Sequence, residues 1–476
     1  MERQASSPSS QRSLVIALIV AGAFFMEQLD GTVISTALPQ MARSFGDDPV
    51  RLSIGMTAYL LTLAVFIPIS GWVADRYGSR SVFGGAIVVF TAASVLCGIS
   101  NDIWEFVAAR VLQGIGGAMM VPVGRLIVLR TTEKKDLLRS MTFITWPGLV
   151  APVLGPPIGG FITTYLSWRW IFLLNVPIGA AGIALVILFI ANQRATEKRA
   201  LDVLGFVLSA VALASLVYVL DLVGRPRVAW GEVAVLALIG ATAGTLGVRH
   251  AKRHPYPLLD LSTLAIPTFA AAGVWGGSMM RIALSAVPFL LPLLFQIGFG
   301  LSAFASGMLL LAFAAGNLGM KTITTAILRR WGFRSVLMVN GVLAAVAMFG
   351  CAALSVRTPV VLTVLVLLLA GLTRSMQFTS LTSLQFVDVP PPVMSGASTF
   401  SSMLQQLSWA MGIALGALAL KFAAFVHGGG GTSVAEFRIA FCVIGVLMLG
   451  ALAHVVGLPA DAGAEVSGHR PARAAA

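Results

Sequence analysis

Charged residues and cysteines are both scarce in this chain of 476 residues. Asp, Glu, Lys and Arg make up 11% of it, against about a quarter in a soluble domain, and 57% of the residues are hydrophobic. A mean hydropathy of +0.91 leaves too little polar surface to coat a water-soluble particle, so an ordinary soluble fold is excluded. The three cysteines, Cys97, Cys351 and Cys442, stand alone in apolar runs, which excludes a disulfide framework.

Sequence signatures of enzymatic chemistry are missing as well. No glycine is followed by lysine, so there is no phosphate-binding loop and no sign of ATP as a driver. The glycine run after His427 has no Gly-x-Ser-x-Gly nucleophile motif to accompany it. His250 and His254 are four residues apart but lie amid Lys252 and Arg253, and we interpret them as a solvated loop end. The sequence predicts neither an enzyme nor a cofactor nor a bound metal.

Long apolar runs are what the chain has instead. A helix that crosses a membrane needs about 20 mostly apolar residues at a rise of about 1.5 Å each. Fourteen stretches meet this criterion, and we predict spans at residues 14–38, 50–73, 81–100, 103–128, 138–165, 169–191, 202–222, 231–249, 267–296, 302–327, 335–356, 359–387, 394–426 and 434–457. An even number of crossings places both ends of the chain on one side of the membrane.

The excess of basic residues indicates which side that is. The chain has 32 Lys and Arg against 19 Asp and Glu, a net charge of +13. With the N-terminus inside, nineteen basic residues fall on cytoplasmic segments and eight on outer loops, as the positive-inside rule requires. The other five lie inside predicted spans: Arg110, Arg125, Arg281, Lys321 and Arg374. We therefore predict cytoplasmic termini, and the positive charge needs no nucleic acid to explain it.

A short internal repeat divides the chain into two halves. When the sequence is aligned with itself at an offset of 254 residues, Tyr77–Val82 matches Trp331–Val336 with four identities in six. Both copies occupy the predicted turn between the second and third spans of a half, and internal repeats are common in transporters. The repeat predicts two sets of six helices, with an additional pair at about 202–249 between them.

Four motifs in the first 180 residues resemble those of one transporter family. Gly71–Arg80 resembles the loop motif of the major facilitator superfamily, and Arg110–Gly117 resembles its fourth-helix motif. Gly155–Gly160 is similar to the fifth-helix motif of antiporters. Leu29–Val33, followed by Ala37–Pro39, is similar to the first-helix motif of the fourteen-spanning drug:proton antiporters. The resemblance covers most of the chain, and the ordered set of four is highly specific.

The resemblance implies an all-α polytopic membrane protein that works by alternating access around a central cavity. Its fold would be two six-helix bundles plus two extra central transmembrane helices. The corresponding domains are a cytoplasmic tail at 1–13, an N-terminal bundle at 14–191, the additional pair with its loops at 192–266, a C-terminal bundle at 267–457 and a disordered cytoplasmic tail at 458–476.

Two acidic residues of the first span are candidates for proton coupling. Glu27 and Asp30 share one helical face, and carboxylates inside a span are costly and usually functional. Asp30 lies roughly 12 Å from the predicted outer end of its span and Arg110 lies roughly 10 Å into the fourth, so the two could meet. A carboxylate paired with arginine stays ionised until the pair separates, and it then takes a proton. A static buried ion pair is the alternative, and Glu27 could instead contact substrate.

Two further groups of residues are candidates for conformational roles. In the loop motif these are Gly71, Asp75, Arg76, Gly78 and Arg80. Asp75 could sit at a helix N-terminus or pair with a basic residue, and the resemblance implies a conformational latch there. Arg76 and Arg80 could equally be topology markers.

The second group stands in the middle of the fifth span. Gly155, Pro156, Gly159 and Gly160 remove side chains and a backbone donor there, which permits close helix packing or a flexible kink.

Two arginines deep in the second half bear on the substrate. Arg281 and Arg374 are each about fifteen residues from the nearer predicted helix end, too deep to reach water easily. We predict that both face the cavity, with Gln113, Trp146 and Gln377 as further lining. Lipophilic cations would call for carboxylates and aromatic faces, so this pattern favours an anionic or zwitterionic substrate. Hydrogen bonds that pack helices are the alternative.

The sequence thus predicts a proton-coupled exporter of small molecules in the bacterial inner membrane, used for multidrug or toxic-compound efflux. The proton gradient would drive it without a cofactor, and its partners would be the substrate, protons and lipid. Export of an anionic metabolite, organic acid or metal chelate is the alternative, and a membrane-embedded sensor or enzyme is a third reading. The need for a periplasmic adaptor is left open.

Overall fold

A computed structural model describes residues 8–132, 137–192, 200–223, 228–390, 393–427, 433–459 and 462–464. These residues form helices and their connections, and none of them is in a strand. The predicted tail at 458–476 lies largely outside the described residues, whereas the first helix begins at Pro8, inside the predicted tail at 1–13.

The N-terminal half consists of eight helices among the described residues. They are α1 (Pro8–Phe45), α2 (Ser53–Phe66), α3 (Ser70–Tyr77), α4 (Ser79–Ile99), α5 (Ile103–Thr131), α6 (Leu137–Tyr165), α7 (Trp170–Leu173) and α8 (Asn175–Phe189). A single turn of 3₁₀-helix, Ile67–Ile69, joins α2 to α3 at Pro68.

The remaining described helices are the additional pair and the C-terminal half. The pair is α9 (Val203–Val223) and α10 (Trp230–Arg253). The C-terminal half, which a 3₁₀ turn (Leu261–Ala265) precedes, contains α11 (Pro267–Gly273), α12 (Gly276–Leu293), α13 (Ala303–Ala353), α14 (Val360–Phe386), α15 (Met394–Val426), α16 (Val434–Ala451) and α17 (Ala453–Val456). One turn of π-helix, Leu294–Gly298, continues α12.

Twelve helical segments in the described part of the chain are long and apolar enough to cross a membrane. α13 is counted once among them, although its 51 residues would extend about 76 Å if straight, more than twice the roughly 30 Å of a bilayer core. α6, with 29 residues, is a further long helix that is not among the twelve.

α13 is two helices that fold back on each other at Gly332. This glycine has φ 70° and ψ 165°, a non-helical conformation that other residues rarely adopt. A Cβ on Gly316 would lie 3.1 Å from the Leu368 carbonyl carbon, and one on Gly350 would lie 3.3 Å from Val366 Cγ1. Residues 316 and 350 therefore both pack against α14 near residues 366–368, although a straight helix would separate them by about 51 Å.

The repeat predicted from the sequence is present at this turn. Gly78, which is Gly332 shifted by 254 residues, separates α3 from α4 with φ 98°. Both copies of the repeat therefore use a glycine in a positive-φ conformation to turn the chain between two helices.

α1 is longer than predicted because it continues through Pro39. The predicted span ended at residue 38, whereas the helix runs to Phe45 and buries Met41 and Ala42 almost completely. The proline removes one backbone donor, and this apolar burial outweighs the loss. Asp30 is therefore fifteen residues from the outer end of its helix rather than eight.

The additional pair is central in the sequence but peripheral in space. α9 packs against both α2 and α15, with the Phe206 ring edge-on to Phe66 at a centroid distance of 5.3 Å. α10 packs mainly on α9 and buries only Ala243 among its residues. Its other apolar side chains are suited to contact with lipid.

The two halves touch along α2 and α15 and also at the end where α1 and α6 finish, which we name the outer end after the predicted orientation. Gln296 donates from Nε2 to the Thr36 carbonyl at 3.0 Å, and the Phe304 amide donates to Thr164 Oγ1 at 3.0 Å. The Phe304 ring also packs edge-on against Tyr165 with centroids 5.8 Å apart. These contacts join α1 and α6 of one half to the π-turn and α13 of the other.

Candidate functional site

A buried ion pair lies in the middle of the N-terminal half. Arg110 Nη1 of α5 donates to Asp30 Oδ2 of α1 at 2.6 Å, and each side chain is 1% exposed. This is the contact predicted from the depths of the two residues, although the assumed end of α1 was wrong. Because a single buried charge is very costly, each partner holds the other in place.

Two neutral amide side chains complete the coordination of Asp30. Gln113 Nε2 donates to Asp30 Oδ1 at 2.8 Å, and Asn175 Nδ2 donates to the same oxygen at 3.1 Å. Both amides also donate to Ser94 Oγ, at 2.8 and 3.1 Å, and Arg110 Nη1 donates to Gln113 Oε1 at 2.6 Å. Helices α1, α4, α5 and α8 therefore share one hydrogen-bond network around the carboxylate.

The network reaches a cavity of about 390 Å³ between the two halves. Arg110 lines this cavity, with its guanidinium carbon 4.1 Å from the centre of the Tyr59 ring, a cation–π distance. Glu27 also lines the cavity; it is 4% exposed, and its Oε2 has no hydrogen-bond partner. Asp30 itself lies behind Arg110 and is not part of the lining.

Of the residues predicted to line the cavity, the structure places Arg374 there. Its guanidinium carbon stands 4.9 Å from the Phe378 ring centre and 5.9 Å from that of Phe313. Lys321, one of the five basic residues inside predicted spans, is in the same wall.

The other four predicted lining residues lie elsewhere. Arg281 is buried where α11 meets α12, donating to the Ala272 carbonyl at 2.9 Å and to Gln385 at 3.1 Å, which is the packing alternative. Gln377 accepts from Asn340 at 2.7 Å in the core, and Gln113 belongs to the Asp30 network. Trp146 is 57% exposed on α6. None of these four residues is part of the cavity lining.

The loop motif contains a salt bridge. Arg130 Nη2, in the last turn of α5, donates to Asp75 Oδ1 of α3 at 2.8 Å, and both side chains are partly exposed. This is the pairing with a basic residue that the sequence left open. A Cβ on Gly71 would have nothing within 4 Å, and Arg76 is exposed, as a topology marker would be.

The glycines of the fifth-helix motif bring α6 close to two different helices. A Cβ on Gly159 would lie 2.6 Å from the Val33 carbonyl oxygen, and one on Gly155 would lie 2.8 Å from Thr32 Cβ, so both positions pack on α1. Gly160 faces the other half instead, where a Cβ would lie 2.9 Å from Phe304 Cα. The motif therefore serves close packing, including packing across the interface between the halves.

His250 and His254, which we interpreted as a solvated loop end, belong to a hydrogen-bonded group with Asp202. His250 Nε2 lies 2.7 Å from Asp202 Oδ1, and ligand atoms of His254 lie within 4.8 Å of both. Burial raises the pKa of Asp202, but hydrogen bonds from the Leu258 and Gly205 amides and from His250 outweigh it and hold the pKa below its ordinary value. Because both Asp202 oxygens already accept hydrogen bonds, we assign the group a structural role at the base of α9 and α10.

Sequence reasoning missed Asn175, Ser94, Tyr59 and Arg130. Asn175 gave the clearest signal, since a buried amide in an otherwise apolar segment needs a partner. Ser94 and Tyr59 stand among many similar residues in spans, and only their neighbours distinguish them.

Two helical halves around a largely apolar cavity with a few charged side chains, beside a buried ion pair, define a membrane transporter rather than an enzyme. The model of the Major Facilitator Superfamily matches residues 20–413, and the chain belongs to this superfamily. It is a multi-pass membrane protein.

Relatives and solved structures agree with this assignment. MdtD of Salmonella paratyphi B and MdtD of Salmonella typhimurium, provisionally named multidrug resistance proteins, are each 39% identical over 402 residues, covering 84% of this chain and 85% of theirs. A D-xylose–proton symporter structure matches with a TM-score of 0.66 at 13% identity, over 94% of this chain and 98% of that one. An auto-inhibited peptide transporter of the POT family matches with a TM-score of 0.67 at 14% identity, over 97% and 99%. At such low identities the structural likeness concerns the fold alone.

Proposed function

We propose that the protein is a proton-coupled exporter of small molecules that works by alternating access, with toxic compounds or drugs as its cargo. The observation that carries this proposal is the Asp30–Arg110 pair, which is buried yet directly adjoins the cavity through Arg110. The name of the Salmonella relatives, which refers to multidrug resistance, supports the choice of cargo.

The geometry suggests how a proton could be coupled to movement. While Asp30 is ionised, it anchors Arg110 and Gln113 of α5 and Asn175 of α8. A proton on the carboxylate removes the charge that these donors face and frees Arg110 to turn toward the cavity. Protonation and the shape of the cavity wall would then depend on each other, as exchange of a proton for cargo requires. Glu27, in the same wall, would be a second proton acceptor or a contact for cargo.

We also propose that the chain crosses the membrane fourteen times. The hairpin in α13 adds one crossing to the twelve spanning helices, and α6 adds another, which supports fourteen crossings. With fourteen, both termini would lie in the cytoplasm, and the inner membrane with its proton gradient would be the setting. The gradient would be the driver without a cofactor, and whether an adaptor assists export is a question for purification from cells.

Transport into everted membrane vesicles tests proton coupling. Ethidium and norfloxacin would be supplied with an imposed pH gradient to wild type, to Asp30→Asn, and to Asp47→Asn as a control. The control makes the same chemical change in a loop outside the cavity lining, where Asp47 accepts from the Arg51 side chain and the Asp48 amide. We expect Asp30→Asn alone to lose gradient-driven accumulation. Full accumulation in that variant, or wild-type transport that persists when the gradient is collapsed, would contradict the proposal.

A further inference from the structure

Polar atoms without a partner are concentrated around the central cavity. Among the described residues, thirteen buried side-chain nitrogen or oxygen atoms have no hydrogen-bond partner, and eight of them belong to residues that line this cavity. Buried polar groups are normally paired, and each exception calls for an explanation. Their convergence on one cavity, from both halves, indicates that a ligand supplies the missing partners.

Charge is divided between the two walls of the cavity. The N-terminal half contributes Glu27, whose Oε2 is among the unpartnered atoms, while the charge of Arg110 is already matched by Asp30. The C-terminal half contributes Arg374 and Lys321, which are close enough to interact electrostatically. On one side the cavity therefore presents the Glu27 carboxylate, which has an unpartnered oxygen and Arg125 as an electrostatic neighbour, and on the other side it presents two positive charges.

Arg374 is held in a way that leaves an edge of its guanidinium free. The rings of Phe378 and Phe313 lie against it at 4.9 and 5.9 Å, and its Nε is unpartnered. No described carboxylate makes a salt bridge with it. A carboxylate can take two parallel hydrogen bonds from such an edge, and this pairing is stronger and more directional than one with lysine.

We propose that the cargo is an amphipathic zwitterion. Its carboxylate binds Arg374 and Lys321, its ammonium group binds Glu27, and its apolar body lies between the aromatic side chains. This inference rests on the proposed export function and adds the chemical class of the cargo. The volume of about 390 Å³ lies within the range of drug-sized sites.

Ligands with a single charge fit the site less well. A pure cation leaves Arg374 and Lys321 without a carboxylate to bind, and a pure anion leaves Glu27 Oε2 without a hydrogen-bond donor. Either arrangement keeps a buried charged group without a direct hydrogen-bonded partner, which is costly. A zwitterion matches both walls at once.

A matched series of norfloxacin compounds tests the class of cargo. The parent has a carboxylate and a piperazinium group, its methyl ester keeps only the positive charge, and its N-acetyl derivative keeps only the negative charge. Their intrinsic fluorescence would report binding to purified protein in detergent. We expect the parent to bind about tenfold more tightly than either derivative, since one charge-assisted contact corresponds to about that factor.

Two variants assign each charge to its wall. Glu27→Gln should weaken binding of the parent and the ester while sparing the N-acetyl compound. Arg374→Gln should weaken the parent and the N-acetyl compound while sparing the ester. Arg51→Gln and Glu105→Gln, both changes at exposed sites outside the lining, are the controls. A misfolded variant would lose all three compounds, so the crossed pattern separates recognition from folding.

The inference is overturned if either derivative binds wild type as tightly as the parent, if the parent does not bind saturably, or if both variants keep the wild-type unfolding temperature and yet weaken all three compounds equally. Gradient-driven uptake in everted vesicles answers the separate question of export. Uptake of any compound supports export whatever the order of binding. Normal binding without a response to the gradient contradicts export while the charge pattern of the ligand stands.

Discussion

Replacing Gly307 by alanine should push the two halves apart at their outer end. Gly307 of α13 faces α6 across the interface, where a Cβ would lie 2.8 Å from the carbonyl carbon of Pro156 and 3.1 Å from Cα of Pro157. Both neighbours are backbone atoms and cannot turn aside as a flexible side chain would. Gly160→Ala, on α6, should crowd the same interface, because its Cβ would lie 2.9 Å from Phe304 Cα of α13.

The size of the effect follows from these distances. Carbon atoms pack best at about 3.5–4.0 Å, so a contact at 2.8 Å obliges the helices to separate by roughly 0.7–1.2 Å. Overpacking of this kind costs about 1–3 kcal/mol. Because the strain exists only while the outer ends are together, it should shift the conformational equilibrium toward their separation by about 5- to 150-fold.

Distances between spin labels on Leu166 and Met308 would measure the shift. Both residues are exposed, and they lie on the two sides of the contact. Cys97 and Cys351 are buried, so replacing the exposed Cys442 by serine limits background labelling. We expect Gly307→Ala to lengthen the mean distance or to populate a second, longer one.

Gly319→Ala is the matched control in the same helix. A Cβ on Gly319 meets nothing within 4 Å, so this variant carries the same change in helix propensity without the steric overlap. If Gly307→Ala and Gly160→Ala give the same distance distribution as Gly319→Ala, the reasoning about the interface is refuted.

Three further predictions concern polar contacts. Asn175→Ala removes a hydrogen bond to the buried Asp30 carboxylate and should destabilise the protein by about 1.5–3 kcal/mol in detergent, whereas the exposed Asn101→Ala should change little. Asp75→Asn breaks a partly exposed salt bridge, so the free energy of unfolding should change by less than about 1 kcal/mol while transport slows. Exchanging the charges of Asp75 and Arg130 should restore transport. Unchanged transport in Asp75→Asn would exclude a latch. The pKa of Asp202 is lowered by folding, so its stabilising effect is fully present above its ordinary pKa of about 3.9 and is lost as the pH falls through the lower, folded value. The unfolding temperatures of wild type and Asp202→Asn should therefore differ at neutral pH and converge as the pH falls below about 3.9.

Residues whose role is set by position along a helix were predictable. The depth of Asp30 and Arg110 was enough to expect their contact, even though the end of α1 was misplaced by seven residues. The glycine turn at Gly78 and its repeat at Gly332 were likewise predictable, because a reversal between helices has a local conformational requirement.

Residues whose role depends on the direction of the side chain were not predictable. Arg281 and Arg374 have similar depths and the same chemistry, yet one binds a helix-end carbonyl and the other lines the cavity. Gln113 and Gln377 likewise turned to neighbouring helices rather than to the cavity. Depth is one coordinate, and rotation about the helix axis is another that depends on every helix packed alongside.

Composition alone therefore determined that this protein lies in a membrane, since 11% charged residues cannot cover the surface of a chain of this length in water. Apolar runs with basic loops predicted the helices and their orientation. These properties are local or additive, and they need no knowledge of distant residues. Only the tertiary structure decided which buried polar groups meet each other and which remain unpaired against the cavity. Hydrogen bonds act over about 3 Å, so partners eighty or more residues apart, such as Asp30, Arg110 and Asn175, acquire their roles only when packing brings their helices together.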